Sequence, residues 1–219
     1  MMFQKLEILK RHGYIPDTIL DIGACKGEWT YNCNMIYPTA NYLLFEPIKY
    51  PELNKLKDLL QNVSIFNELL DSVEGEVDWY EKQNTGDSMF RERTCHFQDC
   101  IPVKRNTVPL HSLVDDRISS MNHVFIKIDS QGAEIPILKG AGNILSKTDF
   151  ILLEIPFFGQ YNESVPGFLE HIKYMDEIGF VPFDLLETHM AKNFTIQVDI
   201  LFISKGHSLN EKIQKELLE

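Results

Sequence analysis

The 219-residue chain predicts an open, doubly wound α/β fold with a seven-stranded, mostly parallel sheet and an antiparallel closing strand. Three observations carry this expectation. Short apolar runs at Thr18–Ile22, Tyr42–Phe45, His123–Asp129 and Phe150–Ile155 have the near-continuous hydrophobicity of strands covered on both faces. Segments with apolar residues at helical spacing separate them. A turn with glycine at positions 23 and 27 follows the first run, where a strand would pass into a helix.

The chain opens with a predicted helix, Phe3–His12, for which Gly13 supplies a left-handed cap. Thr18–Ile22 is the first strand, and a second helix runs from the glycine turn through Trp29 and Cys33 towards Tyr37-Pro38. Tyr42–Phe45 forms the next strand, Tyr50–Leu60 a helix opened by Pro51, and Val63–Leu69 a third strand. Glu76–Tyr80 alternates apolar and polar residues after the turn residues Glu74-Gly75, which predicts an added, locally paired strand. Gln83–Thr107 is polar and aperiodic, and is expected to form an irregular lid or recognition segment. Beyond it come a short helix at His111–Arg117, a strand at His123–Asp129, a helix from Ala133 to Leu145 and a central strand at Phe150–Ile155. A helix over Phe168–Ile178 ends at Gly179. Phe180–Leu186 and Thr195–Ser204 are expected to close the sheet as an antiparallel pair, before a final helix at Leu209–Leu218.

No repeat or linker interrupts this order, so one domain over residues 1–219 is expected. Hydrophobic residues make up 44% of the chain, enough for a full core. The net charge of −11 and pI near 5.1 weigh against nucleic acid or anionic lipid as a general partner. Membrane insertion is not expected, because no run reaches the roughly 18 apolar residues of a span. Met1–Lys10 alternates apolar and charged residues rather than forming a leader's apolar stretch, and four cysteines without a framework suit free thiols in a reducing compartment. A cytoplasmic setting is expected. Oligomeric state leaves no sequence signal.

Ligands in doubly wound sheets bind beyond the carboxyl ends of the strands, at the switch in winding order. The residues predicted there are Asp21-Ile22-Gly23, Glu46-Pro47, Leu69–Ser72, Asp129-Ser130 and Glu154–Pro156. Glu46 follows Asp21 by 25 positions, close to the ~20-residue interval at which a βαβ unit brings an acid to ribose hydroxyls. Together they predict a nucleoside-bearing cofactor. The turn is spaced Asp-x-Gly-x-x-x-Gly, unlike a dinucleotide fingerprint, which favours a single nucleoside over a pyrophosphate and ranks an NAD-dependent oxidoreductase lower.

Four blocks resemble the FkbM-type methyltransferases. They are Asp21-Ile22-Gly23-Ala24-Cys25-Lys26-Gly27; Phe45-Glu46-Pro47; Ile126 through Glu134 with Leu138-Lys139-Gly140-Ala141; and Val198-Asp199-Ile200-Leu201-Phe202. The resemblance spans about residues 17 to 204. It implies S-adenosyl-L-methionine as donor, S-adenosyl-L-homocysteine as product, a Rossmann-like class I methyltransferase fold, and a hydroxyl on a sugar or other small metabolite as acceptor. One departure is Gln131, where many members carry Glu. A module that binds the cofactor without turnover is the alternative this departure supports.

For such a donor, Asp21 and the turn Gly23, Ala24, Cys25 and Gly27 would hold the amino-acid end. Glu46, with Pro47 beside it, would accept hydrogen bonds from the ribose diol, and Asp71-Ser72 would flank the adenine. Methyl transfer to oxygen depends on alignment and on a base for the hydroxyl proton. Asp129 is the first candidate for that base and Glu154 the second, while His111 or His96 would need their loops to fold over the site. Lys127 shares a strand face with Asp129 and is expected either to neutralise a buried carboxylate or to help bind the acceptor.

Duller roles compete. Asp129 could instead cap the following helix, and Glu134 reads as a first-turn acid complementing the helix dipole. Asp199 is expected to be structural. Cys95-His96 and Cys100 lack the paired spacing of a zinc site. No metal is favoured, and magnesium, if used, would be held by Asp129 and Glu154. The basic residues Arg91, Arg93, Lys104 and Arg105 would suit a phosphate-bearing acceptor such as a nucleotide-linked sugar if their segment covers the pocket.

Overall fold

The computed structural model describes residues 2–82, 85–158 and 162–218. In chain order its elements are α1 (Met2–Arg11), β1 (Thr18–Ile22), α2 (Glu28–Ile36), β2 (Asn41–Phe45), α3 (Pro51–Leu59) and β3 (Val63–Phe66). Then follow β4 (Leu69–Asp71), β5 (Gly75–Trp79), β6 (Val103–Pro109), α4 (Leu110–Val114), β7 (Val124–Ile128) and α5 (Glu134–Lys139). The chain continues through β8 (Thr148–Pro156), α6 (Phe168–Glu177), β9 (Phe180–Ala191), β10 (Phe194–Ser204) and α7 (Ser208–Glu216).

The main sheet has seven strands in the order β3-β2-β1-β7-β8-β10-β9. Every pairing from β3 to β8 is parallel, and β10 runs antiparallel to both β8 and β9. Winding therefore goes outward from β1 to β3 and restarts at β7 on the other side of β1. The crevice at this reversal lies between the carboxyl ends of β1 and β7, where such sheets hold ligands.

Each face of the sheet carries its own core. Leu20, Ile126, Ile128 and Leu153 pack on one face with Leu110 of α4, Ile137 of α5 and Met175 of α6. Ile19, Leu44, Phe125 and Leu152 pack on the other with Leu6 of α1, Ile36 of α2, Leu53 of α3 and Leu209 of α7. Alternation along each strand sends successive residues to opposite layers, so the continuous apolar runs fill both. Burying each such side chain stabilises by about 1.5–3 kcal/mol. None of the helices, among the described residues, is long and apolar enough to cross a membrane.

Several elements depart from expectation. The run Val63–Leu69 breaks at Asn67-Glu68, and its last part becomes β4, which pairs in parallel with β6 in a second sheet of order β4-β6-β5. The Asn67 side chain donates to the Glu46 carbonyl at 3.0 Å, tying the break to the end of β2. Strand β6 occupies the last part of the predicted irregular segment, where its exposed Val103 and Lys104 hid the pattern of a buried strand. The helix expected to reach Leu145 stops at Lys139, with a 3-10 turn over Gly142–Lys147. Gly140 marks the break: a β-carbon there would stand 2.4 Å from the Asp71 carbonyl oxygen. The short helix α4 gives way to another 3-10 turn, Asp115–Ser120. Strand β9 runs five residues past the predicted Leu186 to Ala191, because Lys192 and Asn193 both adopt positive φ and form a tight two-residue hairpin turn.

Candidate active site

A cavity of about 540 Å³ opens at the reversal of the main sheet. Its floor comes from the ends of four strands: Gly23 after β1, Glu46 and Pro47 after β2, Asp129 to Gln131 after β7, and Glu154 in β8. Glu68 to Leu70, Trp79, Met89 and Phe97 build the opposite wall.

The glycine turn is dictated by crowding. Gly23 sits at φ +74° and donates to the Phe45 carbonyl at 2.9 Å, while the Asp129 amide donates to the Ile22 carbonyl at 3.1 Å. These bonds draw the ends of β2, β1 and β7 together and leave Gly23 no room for a side chain. Gly27, at φ +82°, serves a different purpose. It points away from the cavity towards Leu56 of α3, where an added β-carbon would come within 2.5 Å of the Leu56 Cδ2.

Glu46 is 6% exposed and has both carboxylate oxygens engaged: Oε2 accepts from the Cys25 amide and Oε1 from the Ile48 amide, each at 2.9 Å. Burial raises its pKa, against the stabilising effect of these two N–H groups and of Lys127. The same carboxylate and burial push the Cys25 thiol upward, burial being the larger cause.

Behind the turn lies a buried charge cluster. Asp21 is 0% exposed, accepts from the Thr30 hydroxyl at 2.6 Å, and pairs with Lys127 Nζ at 3.2 Å. Lys127 also donates to the Gly23 carbonyl at 3.1 Å and lies 3.5 Å from Asp129. Burial opposes its charge, yet Asp21 and then Asp129 hold its pKa above the ordinary lysine value. The ammonium thus ties the β1 turn to the acid at the end of β7.

Asp129 faces the cavity and does not cap α5, whose N-cap is Ala133 without a side-chain bond. The loop between them is pinned by Glu134, whose Oε1 accepts from the Ser130 amide, the Ser130 hydroxyl and the Gly132 amide at 3.0 to 3.2 Å. Gln131, at φ +54°, places its side-chain amide between two acids, 3.4 Å from Asp129 and 3.0 Å from Glu154. Its carbonyl accepts from Ser88 and Asn162, which hold the wall segment to the floor. Glu154 accepts a second amide from Gln197 at 3.0 Å. Its carboxyl pKa is raised by burial and then by Asp129 and Asp199.

Of the expected cofactor residues, Gly23, Cys25, Glu46, Pro47 and Asp129 meet at the cavity. Asp21, Ala24 and Lys127 lie beneath it, and Gly27 faces α3. Asp71 and Ser72 lie outside the lining, their backbone packed against Gly140, so the wall facing Glu46 is made by Glu68, Leu69 and Leu70 instead. Asp129 and Glu154 do not converge on a shared point, because the Gln131 amide lies between them. Neither do the basic residues gather: Arg105 pairs with Glu81, Lys104 with Asp78 and Arg93 with Glu163, and none of these or Arg91 lines the cavity. His96 lines it and His111 does not. Spacing alone did not reveal Gln197, Met89 or Phe97. For Met89 and Phe97 the available signal was an apolar residue inside an otherwise polar segment.

A seven-stranded sheet of this order, with a buried acid after its second strand and a glycine of positive φ directly after its first, is the fold of class I S-adenosylmethionine-dependent methyltransferases. The sequence model of the methyltransferase FkbM domain matches residues 21–182. The chain belongs to the FkbM methyltransferase family. Among solved structures it is similar to methyltransferase FkbM from Methylobacillus flagellatus KT, at 16% identity and TM-score 0.52 over 84% of this chain and 43% of that one. It therefore spans less than half the length of that protein. Burkholderia thailandensis 1,6-didemethyltoxoflavin-N1-methyltransferase, solved with 1,6-didemethyltoxoflavin and S-adenosylhomocysteine, is similar at 12% identity and TM-score 0.53, covering 93% of this chain and 78% of that one. Magnesium protoporphyrin IX methyltransferase from Synechocystis PCC 6803, with bound SAM, matches at 7% identity and TM-score 0.52 over 92% and 77% of the two chains. A comparison with curated proteins gave no match.

Proposed function

We propose that this chain is an S-adenosylmethionine-dependent O-methyltransferase acting on a hydroxyl of a sugar or other small hydroxylated acceptor, with residues 1–219 forming one catalytic domain. The observation that carries the donor half is Glu46. Its carboxylate is fixed by two backbone N–H groups, yet it still lines the cavity, so its remaining lone pairs are available to a vicinal diol. Beside it, Gly23 offers backbone that a ligand can approach without meeting a β-carbon. These residues fit a nucleoside-bearing sulfonium, which supplies an electrophilic methyl group when bound.

The acceptor half rests on Asp129. It faces the cavity at the strand switch and is steadied by Lys127 on one side and Gln131 on the other. As the acceptor oxygen bonds to the methyl carbon and the carbon–sulfur bond breaks, Asp129 takes the hydroxyl proton. Glu154 lines the pocket on the other side of the Gln131 amide. The net charge of −11 supports a small acceptor rather than a polyanion. Methyltransferases that act on other atoms share the fold, so the choice of oxygen rests on this acid and on the family resemblance.

Calorimetric titration with S-adenosylhomocysteine and with NAD tests the donor assignment. Heat is expected from the first and not the second, and the reverse result would end the proposal. Asp129→Asn should keep S-adenosylhomocysteine binding while turnover of labelled donor onto a sugar pool, followed by mass spectrometry, falls about 10²–10⁴-fold. Full activity in that variant removes Asp129 as the base.

A further inference from the structure

Three strands at the far end of the cavity present side chains of unusual composition for a sheet interior. Asp199 of β10 is 6% exposed and stands directly opposite Glu154 of β8 in an antiparallel pair. From β9, His189 brings Nε2 to 3.1 Å from Asp199 Oδ2 and 3.8 Å from Glu154 Oε1. All three donor atoms lie within 4.8 Å of one another. We propose that Glu154, His189 and Asp199 bind one divalent first-row transition-metal ion, of the manganese or zinc type.

Like charges directly opposite each other on paired strands are destabilising, and a cation held between the two carboxylates relieves this. A single imidazole can offset at most one of the two charges. Lys127, the nearest buried ammonium, forms its ion pairs with Asp21 and Asp129. Donors placed about 2.0–2.2 Å from one ion would themselves be about 3–3.5 Å apart, so the observed separations need only small adjustments to enclose one. One nitrogen and two carboxylate donors suit manganese, iron, cobalt or zinc, whereas magnesium and calcium prefer oxygen alone.

The surroundings also resemble a ligand sphere. Gln131 and Gln197 both donate to Glu154 Oε2 at 3.0 Å, which orients the carboxylate and leaves Oε1 towards His189. Three protein ligands leave coordination positions open. Glu154 and Gln197 also line the main cavity, so Glu154 is the donor that joins this cluster to it, whereas His189 and Asp199 are not among the lining residues. Under the methyltransferase reading, on which only the use of the ion rests, the metal would hold an acceptor oxygen on the Glu154 side of the Gln131 amide and make its hydroxyl more acidic.

The test is metal binding by the full chain after treatment with chelator. Titration with MnCl₂, followed by calorimetry and by loss of the free-ion electron paramagnetic resonance signal, should give one ion per chain, and ZnCl₂ should compete. Asp199→Asn and His189→Ala should each weaken Mn²⁺ binding by at least about tenfold while S-adenosylhomocysteine still binds. Gln197→Ala keeps all three donors and should weaken it by about tenfold through lost orientation. His189 lies on a partly exposed hairpin, so its variant is expected to fold even if Asp199→Asn does not. Absence of stoichiometric binding to the wild type, or binding unaltered in His189→Ala, overturns the site. Failure of S-adenosylhomocysteine to bind the wild type would overturn the donor assignment and leave the metal result standing.

Discussion

A β-carbon added to Gly23 would stand 1.8 Å from the carbonyl oxygen of Asp129. Strands β1 and β7 of the main sheet thus end in direct backbone contact, and the cavity opens where they meet. A methyl group at position 23 would have to separate β1 from β7 or overturn a backbone conformation of positive φ. Gly23→Ala is expected to destabilise by about 1–3 kcal/mol or more in urea denaturation and to abolish S-adenosylhomocysteine binding. Wild-type stability together with wild-type affinity would show that the turn has slack the geometry denies.

Glu46→Gln should fold, since an amide oxygen can replace one of the two acceptors, yet lose about 10–100-fold in affinity for S-adenosylhomocysteine. The pH dependence is equally specific. Burial raises the Glu46 pKa above its ordinary 4.5, so the folded chain holds this proton more tightly than the unfolded one. Its contribution to stability is therefore full below the unfolded value and is lost as pH rises through the raised folded value. Ligand affinity should move the other way, weakening as acidification protonates the carboxylate. Both dependences should flatten in the Gln variant, which titrations at several pH values can establish.

Lys127→Met would leave Asp21, at 0% exposure, facing the protein interior with the Thr30 hydroxyl but no cation. A cost of about 3–5 kcal/mol is expected in chemical denaturation. Removing the charge as well, in Asp21→Asn/Lys127→Met, should recover much of that loss, so the double variant will be less destabilised than the sum of the singles. Strict additivity would show that the two side chains are not coupled.

Arg105 joins the second sheet to the loop after Glu46, donating to the Pro47 carbonyl at 3.1 Å and to Glu81 at 2.6 Å with its guanidinium over the Trp79 ring. Arg105→Ala should cost about 1 kcal/mol, discounted for partial exposure, and weaken S-adenosylhomocysteine binding several-fold. Lys104→Ala, on the outer side, should leave both unchanged. Equal effects from the two would mean that charge, rather than the tether, is what counts.

Strands β1, β2, β7 and β8 were legible because both of their faces are buried, which makes each a continuous apolar run too short for a buried helix. Glu46 was legible for a related reason: a βαβ unit has a nearly fixed length, so the distance from the glycine turn places the acid. Spacing could not separate the two glycines, since both take positive φ, but Gly23 backs onto Asp129 and Gly27 onto Leu56. Strand β6 escaped because three of its seven residues, Val103, Lys104 and Asn106, are exposed and break the apolar pattern. Asp71 and Ser72 were expected beside the adenine; after the break at Asn67-Glu68 it is Glu68, Leu69 and Leu70 that line the cavity. His189 meets Asp199 only through a hairpin register with irregularities at Thr195/Gln197 and Asp199/Ile200, which side-chain alternation cannot anticipate.

The second sheet has a topological consequence. Asp71 and Pro109 are register partners, so the chain departs from and returns to neighbouring points, and everything between them is an excursion with adjoining ends. Closing such a loop at a fixed short gap costs little more for a long insert than for a short one. The excursion bears Trp79, Met89 and Phe97, but not Gly23, Glu46 or Asp129. It is a natural unit for grafting: with β6 kept to pair with β4, a segment of different length and character could be spliced between Asp71 and Val103, reshaping one wall of the cavity without rebuilding the sheet that carries the other.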